Sequence, residues 1–165
     1  MKSRTQATVE EKIMAVRIVS AAELKSLAGQ EIGVSDYFPV TQERISKFAD
    51  ATEDHQWIHV DTARAGKESP YGTTIAHGFL SLSLVSHLTR QVFRVDGIRM
   101  AINYGLDRVR FPAAVRSDSK VRARVMLQSA DDIPGGLQIK LGVTVECEGS
   151  SKPGCVAEWL LRYYL

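Results

Sequence analysis

Residues 75–93 constrain this chain more than any other stretch. Ile75, Ala76, Phe79, Leu80, Leu82, Leu84, Val85, Leu88 and Val92 crowd together with mainly small residues between them, which predicts one long helix apolar over most of its circumference. Such a helix must be buried. After Asp96-Gly97 the period changes from helical to alternating, and residues 98–111, 119–129, 137–147 and 155–164 read as strands. Val121, Ala123, Val125 and Leu127 alternate with Arg122, Arg124 and Met126, and Ile139, Leu141, Val143 and Val145 alternate with Lys140, Gly142, Thr144 and Glu146. One face of the sheet is therefore dry and the other partly wet. Residues 131–136 and 149–154 are turn material, so the last three strands are expected to form an antiparallel meander. A buried helix followed by four or five antiparallel strands has one economical packing, an α+β arrangement in which a curved sheet wraps the central helix. That packing leaves an exposed edge, and pairing with a second copy of the chain is the usual remedy, so a homodimer is the expected unit.

The segments before the helix read as connectors to it. Residues 1–13 are polar and aperiodic and are expected to form a flexible lead, with residues 14–165 a single domain. Ser20-Ala21-Ala22-Glu23 is a capping box that opens a short helix stopped by Gly29, and residues 31–39 form a candidate edge strand. Thr41 caps a second helix whose apolar stripe is Ile45, Phe48 and Ala49, and Asp61 caps a short turn containing Ala63 and Ala65.

Several classes of function drop out. Lys and Arg outnumber Asp and Glu by only 21 to 19, and the arginines between Arg108 and Arg124 lack interleaved aromatics, so no nucleic-acid partner is expected. No apolar run approaches the roughly 20 residues of a membrane span, and Glu10, Glu11 and Lys12 interrupt any secretory core, so the expected location is cytoplasmic. Cys147 and Cys155 flank a hairpin turn without a second ligand at metal spacing, and read as two inert core thiols.

Chemistry concentrates in residues 48–79, which hold His55, His59 and His77, three of the four histidines. Asp54 and His59 stand five steps apart in a segment with neither helical nor alternating period, and Ala76-His77-Gly78 opens the apolar helix. Alone, Asp54 is as well read as a helix-terminal carboxylate that caps something; its spacing with His59 favours a site. His55 reads as a surface residue and His87 as a satisfied structural one. His77 either braces the turn through its ring nitrogens or packs, Trp57 either lines a pocket or fills core, and Gln56 is placed to orient water or a ligand. For Asp54 and His59 to serve one water the segment must fold back, with the indole of Trp57 expected inward.

This stretch resembles the hydratase signature of the MaoC-like, R-specific enoyl-CoA hydratases, which have the hotdog fold. Phe48, Thr52, Asp54, Ile58, His59 and Ala65 match, as do Ile75-Ala76-His77-Gly78-Phe79, and Arg108-Val109-Arg110-Phe111-Pro112 is also similar. Glu53 stands where the family usually has Gly, Gln56 where it has Asn and Trp57 where it has Pro, a form similar to the nodulation protein N-like branch. The resemblance implies hydration of trans-2-enoyl-CoA thioesters to (R)-3-hydroxyacyl-CoA, or the reverse, without cofactor or metal. It assigns Asp54 as base and His59 as proton carrier on one water, the Gly78 N–H as donor to the thioester oxygen, and Gln56, Trp57 and His77 to substrate binding. His is the side chain best matched to neutral pH, and a first-turn N–H lacks an intrahelical partner.

Competing readings remain at this point. Thioester hydrolysis often uses a carboxylate on the central helix, and residues 75–93 hold none. A serine hydrolase lacks its Gly-x-Ser-x-Gly motif. Metal ligation by His55 and His59 would need a helix and a third ligand. A non-catalytic acyl-CoA-binding module or partner subunit stays open because of Glu53, Gln56 and Trp57.

Overall fold

The computed structural model describes residues 16–165, and the expected lead at residues 1–13 lies outside them. In chain order the elements are β1 (Arg17–Val19), α1 (Ala21–Ser26), β2 (Gln30–Val34), β3 (Phe38–Val40), α2 (Gln42–Thr52), α3 (Trp57–Val60), α4 (Thr62–Glu68), α5 (Gly78–Val92), β4 (Phe93–Val95), β5 (Met100–Arg110), β6 (Ser119–Ile133), β7 (Gly136–Cys147) and β8 (Cys155–Tyr164). The main sheet runs β2-β6-β7-β8-β5, with β3 also paired to β6, and its pairs are antiparallel. The expected meander is β6-β7-β8.

The alternation read from the sequence decides which face meets the helix. Val121, Ala123, Val125 and Leu127 of β6, Ile139, Leu141, Val143 and Val145 of β7, and Ala157, Trp159 and Leu161 of β8 are buried, and they form one core with Leu80, Leu84, Val85, Leu88 and Val92 of α5. Each fully buried Leu or Ile in that core contributes about 1.5–3 kcal/mol. The sheet thus folds over the helix as expected. No helix among the described residues is long and apolar enough to cross a membrane.

Four expectations need correction. The helix begins at Gly78 rather than Ile75, because Ile75 forms a bridge with Arg116 and Ala76 donates to the Val115 carbonyl (2.7 Å), which holds residues 75–76 extended. Nor is α5 buried all round: Phe79, Ser83, His87 and Arg90 are exposed and form one stripe along the helix. His87 lies on that exposed stripe, where its ring packs against Phe38 (centroids 4.6 Å apart) and its Nε2 is hydrogen-bonded to Gln91 Nε2 (3.1 Å). The single edge strand at 31–39 is two, β2 and β3, because Ser35 takes over the rung between them: its Oγ accepts from the Ala123 N–H and its own N–H donates to the Ala123 carbonyl, both at 2.8 Å. Residues 131–133 extend β6, so the turn is confined to Pro134-Gly135.

A small parallel pair, β1 with β4, was not anticipated and clamps the end of α5. Cys147 and Cys155 are buried free thiols, with burial pushing Cys155 up to about 11 and Cys147 upward as well. Both are held as unreactive thiols, as read.

Candidate active site

Three short helical elements deliver the candidate residues to the start of α5. Thr41 caps α2 through its hydroxyl, which accepts from the Arg44 N–H, and α2 ends on Glu53 in the left-handed region (φ 58, ψ 18). That reversal presents Asp54. The Gln56 N–H donates to Asp54 Oδ1 (3.4 Å), the His59 N–H to the Gln56 carbonyl (2.9 Å) and the Asp61 N–H to the Trp57 carbonyl (2.9 Å), so the segment folds back as one tight turn and α3. Asp61 then caps α4 by accepting from the Arg64 N–H (2.9 Å).

His59 is 8% exposed, and its Nδ1–H donates to the Ile75 carbonyl at 2.7 Å. This bond leaves Nε2 as the free nitrogen of the neutral ring. Burial holds the imidazole below the ordinary histidine range; the bond to Ile75 and the Asp54 charge oppose that, and His77 adds to it. His77, 3% exposed, lies over the His59 ring with centroids 3.7 Å apart and planes 26° from parallel. Its Nε2–H donates to the Asp54 backbone carbonyl (2.9 Å), with Asp54 Oδ2 at 4.0 Å, while its Nδ1 is buried without a partner. One polar atom from each of Asp54, His59 and His77 lies within 4.8 Å of the others, and the Asp54 carboxylate remains open to solvent. The bracing alternative for His77 is thus the observed one.

These three residues could be read as a metal cluster, in place of the His55–His59 pair considered from sequence. The ring geometry argues against it: a ligated ion lies in the plane of each imidazole, and two nearly parallel rings stacked at 3.7 Å share no nearby in-plane point. His55 sits apart on the surface, paired with Asp50 (2.9 Å), as expected.

Gly78 is the first residue of α5, directly after His77, and its N–H belongs to the helix turn whose donors have no intrahelical acceptor. A Cβ there would come within 2.9–3.0 Å of the Phe111 ring, so any larger residue would have to displace that ring. Gln56, exposed, starts α3 beside Asp54. Trp57 departs from expectation. Positions two apart on a helix face nearly opposite ways, so burying His59 turns the indole outward, where it is half-buried with the Arg64 guanidinium 4.3 Å from its ring centroid. It does not fill the core, and the bend is held by the backbone bonds given above.

Two supporting residues escaped the sequence reading. The Gln42 Nε2–H donates to the His59 carbonyl (2.8 Å), and the Thr74 hydroxyl, fully buried, donates to Gln42 Oε1. Together with the Ile75 N–H bond to the Ile58 carbonyl (3.1 Å), they tie α2, α3 and the entry to α5 into one unit. Residues 32 apart carry no local signal of such a pairing.

A family model described as a MaoC like domain matches residues 23–147 of this chain. The chain belongs to the MaoC-like dehydratase family. Among curated members, the 3-hydroxyacyl-thioester dehydratase Z of Mycobacterium tuberculosis is 52% identical over 145 residues, 87% of this chain and 95% of that protein. Nodulation protein N of Rhizobium leguminosarum bv. viciae is 44% identical over 144 residues, 86% and 89% of the two chains. Of solved structures, the unliganded R-hydratase PhaJ1 of Pseudomonas aeruginosa aligns with a TM-score of 0.71 at 21% identity over 90% of this chain and 88% of that one. The (R)-hydratase from A. caviae aligns at 0.63 and 22% identity over 81% and 94%. This MaoC-like chain has the hotdog fold that its sequence resemblance implied. The family's usual glycine at position 53 is accounted for by the left-handed backbone there, which Glu53 adopts without the freedom of glycine.

Proposed function

We propose that this chain catalyses R-specific hydration of trans-2-enoyl-CoA thioesters to (R)-3-hydroxyacyl-CoA, or the reverse dehydration. The observation that carries the reading is the convergence of Asp54 and His59 within 4.8 Å beside the first turn of α5. A water held between the Asp54 carboxylate and His59 Nε2 loses a proton to them as its oxygen bonds the β-carbon. The π electrons move toward the thioester oxygen, which accepts from the Gly78 N–H, and the α-carbon takes its proton from the imidazolium to restore neutral His59. Because the Nδ1–H is committed to Ile75, the carboxylate and Nε2 share the base role and the protonated ring is the acid. A donor placed like Gly78 N–H is worth about 3–4 kcal/mol of barrier. His77 braces Asp54 through its carbonyl, Gln56 contacts the substrate from the open side, and Trp57 borders it.

The same chain is proposed to act as a homodimer. β5 is one edge of the described sheet and carries Met100, Ile102, Tyr104 and Leu106 at 39–51% exposure, and it runs into Phe111, whose ring packs on Phe79 beside Gly78. A second copy pairing along this edge would cover an apolar band at the mouth of the site. Light scattering is expected to give twice the 18.2 kDa chain mass, and a monomer at assay concentration would refute the pairing.

Absorbance of a short trans-2-enoyl-CoA tests the activity. Loss of the conjugated band supports the hydratase. Binding without loss would leave an acyl-CoA-binding module or partner subunit instead.

A further inference from the structure

Three polar groups at the far end of α5 have no part in the site above. Thr89 is 4% exposed, and its Oγ1 is buried without a hydrogen-bond partner. Arg90 and Arg94 are exposed and take part in none of the ion pairs among the described residues. All three border one cavity of about 590 Å³, whose apolar walls include Phe93, Ile98 and Leu161. Tyr163 also lines it, and burial pushes its phenol up to about 12, with the Arg90 charge acting in the opposite sense.

The cavity is not isolated. A smaller one of about 160 Å³, lined by Leu82, Ser83 and Leu106, shares Ser86, Asn103 and Trp159 with it. The two adjoin at those residues as a trough along the seam of α5 and β5, and the smaller part, at Leu82 and Ser83, is the one nearer Gly78 in the helix. Twelve residue steps separate Gly78 from Arg90, about 18 Å of helix.

An apolar trough that ends at an orphaned hydroxyl and two guanidiniums without an ion pair among the described residues has a specific complement. A plain hydrocarbon tail would leave the buried Thr89 hydroxyl unsatisfied and make no use of the two exposed guanidiniums at the rim. A carboxylate at the end of the chain matches guanidinium geometry. We infer that this trough seats the distal part of an acyl chain ending in a carboxylate, its carbons against Phe93, Ile98 and Leu161 and its carboxylate on Arg90 and Arg94 beside Thr89. The inference rests on the thioester reading only for the head of the chain at Gly78.

Calorimetric titration of the full chain with decanoyl-CoA and its ω-carboxylated counterpart tests this without turnover, since both are saturated. The carboxylated thioester is expected to bind about ten- to a hundredfold tighter, and an Arg90→Gln/Arg94→Gln variant to lose that advantage while binding decanoyl-CoA within about twofold of the unaltered protein. Equal affinities in the unaltered protein, or an advantage that survives the double substitution, overturn the inference. So does free decanoate that binds and is not displaced by decanoyl-CoA, which would make the cavity a separate fatty-acid site. Failure to bind either thioester overturns both readings, whereas the carboxylate advantage without hydration of enoyl thioesters keeps this one and removes the catalytic one.

Discussion

Replacing Gln42 by leucine removes the side chain that joins α2 to both His59 and Thr74 while keeping a good helix former at the start of α2. The fully buried Thr74 hydroxyl is then stranded, and the His59 carbonyl loses its side-chain donor. A buried polar group left unpaired costs about 1–3 kcal/mol and a lost partly buried hydrogen bond about 1 kcal/mol, so the variant is expected to lose about 2–4 kcal/mol. Urea unfolding followed by circular dichroism reads this as a lower midpoint at unchanged slope. Adding Thr74→Val removes the stranded hydroxyl, so the double variant is expected to recover about 1–2 kcal/mol relative to Gln42→Leu alone. Turnover measured well below the transition should drop by about tenfold, because His59 keeps its bond to Ile75 but its backbone is no longer pinned. A cost under about 0.5 kcal/mol, or a double variant less stable than the single, would refute the assignment of this cluster as the brace of His59.

Two further outcomes follow from the same geometry. Glu53→Gly is expected to leave turnover unchanged and stability neutral or up to about 1 kcal/mol higher, whereas Glu53→Val should cost about 1–2 kcal/mol because of the left-handed backbone; equal melting temperatures for the two would contradict this. Burial holds the folded His59 below its unfolded value of about 6.5. As pH falls through that value the unfolded chain takes up a proton that the folded site resists, so this residue's contribution is full above about 6.5 and declines below it. The acid limb of kcat/KM should likewise have its midpoint below about 6.5, since protonated Nε2 cannot accept from water; a midpoint above that value argues against His59 as the proton acceptor.

The parts of the fold legible in the sequence were those with a period. β6, β7 and β8 announced themselves through alternation, and α2 through Thr41 and its stripe, because local pattern and burial agree there. The start of α5 was misplaced by three residues because Ile75 and Ala76 are apolar in either conformation, and only the bridge to Arg116 and the bond to Val115 hold them extended. Of the candidate site, Asp54, His59 and Gly78 were readable from the family signature, and the structure brings Asp54 and His59 together at the entrance to α5. The stacking of His77 on His59, the Gln42–Thr74 brace and the outward turn of Trp57 depend on contacts between segments far apart or on the facing of a four-residue helix. No local pattern encodes those.

The hydration rate of a trans-2-enoyl-CoA in Asp54→Asn, His59→Ala and their combination tests the central claim most directly. Each single variant is expected to fall by about a hundredfold or more with the fold intact by circular dichroism, and the double by far less than the product, because both side chains act on one water. Near-normal turnover in either single variant, or losses that simply multiply, would contradict a shared water between Asp54 and His59.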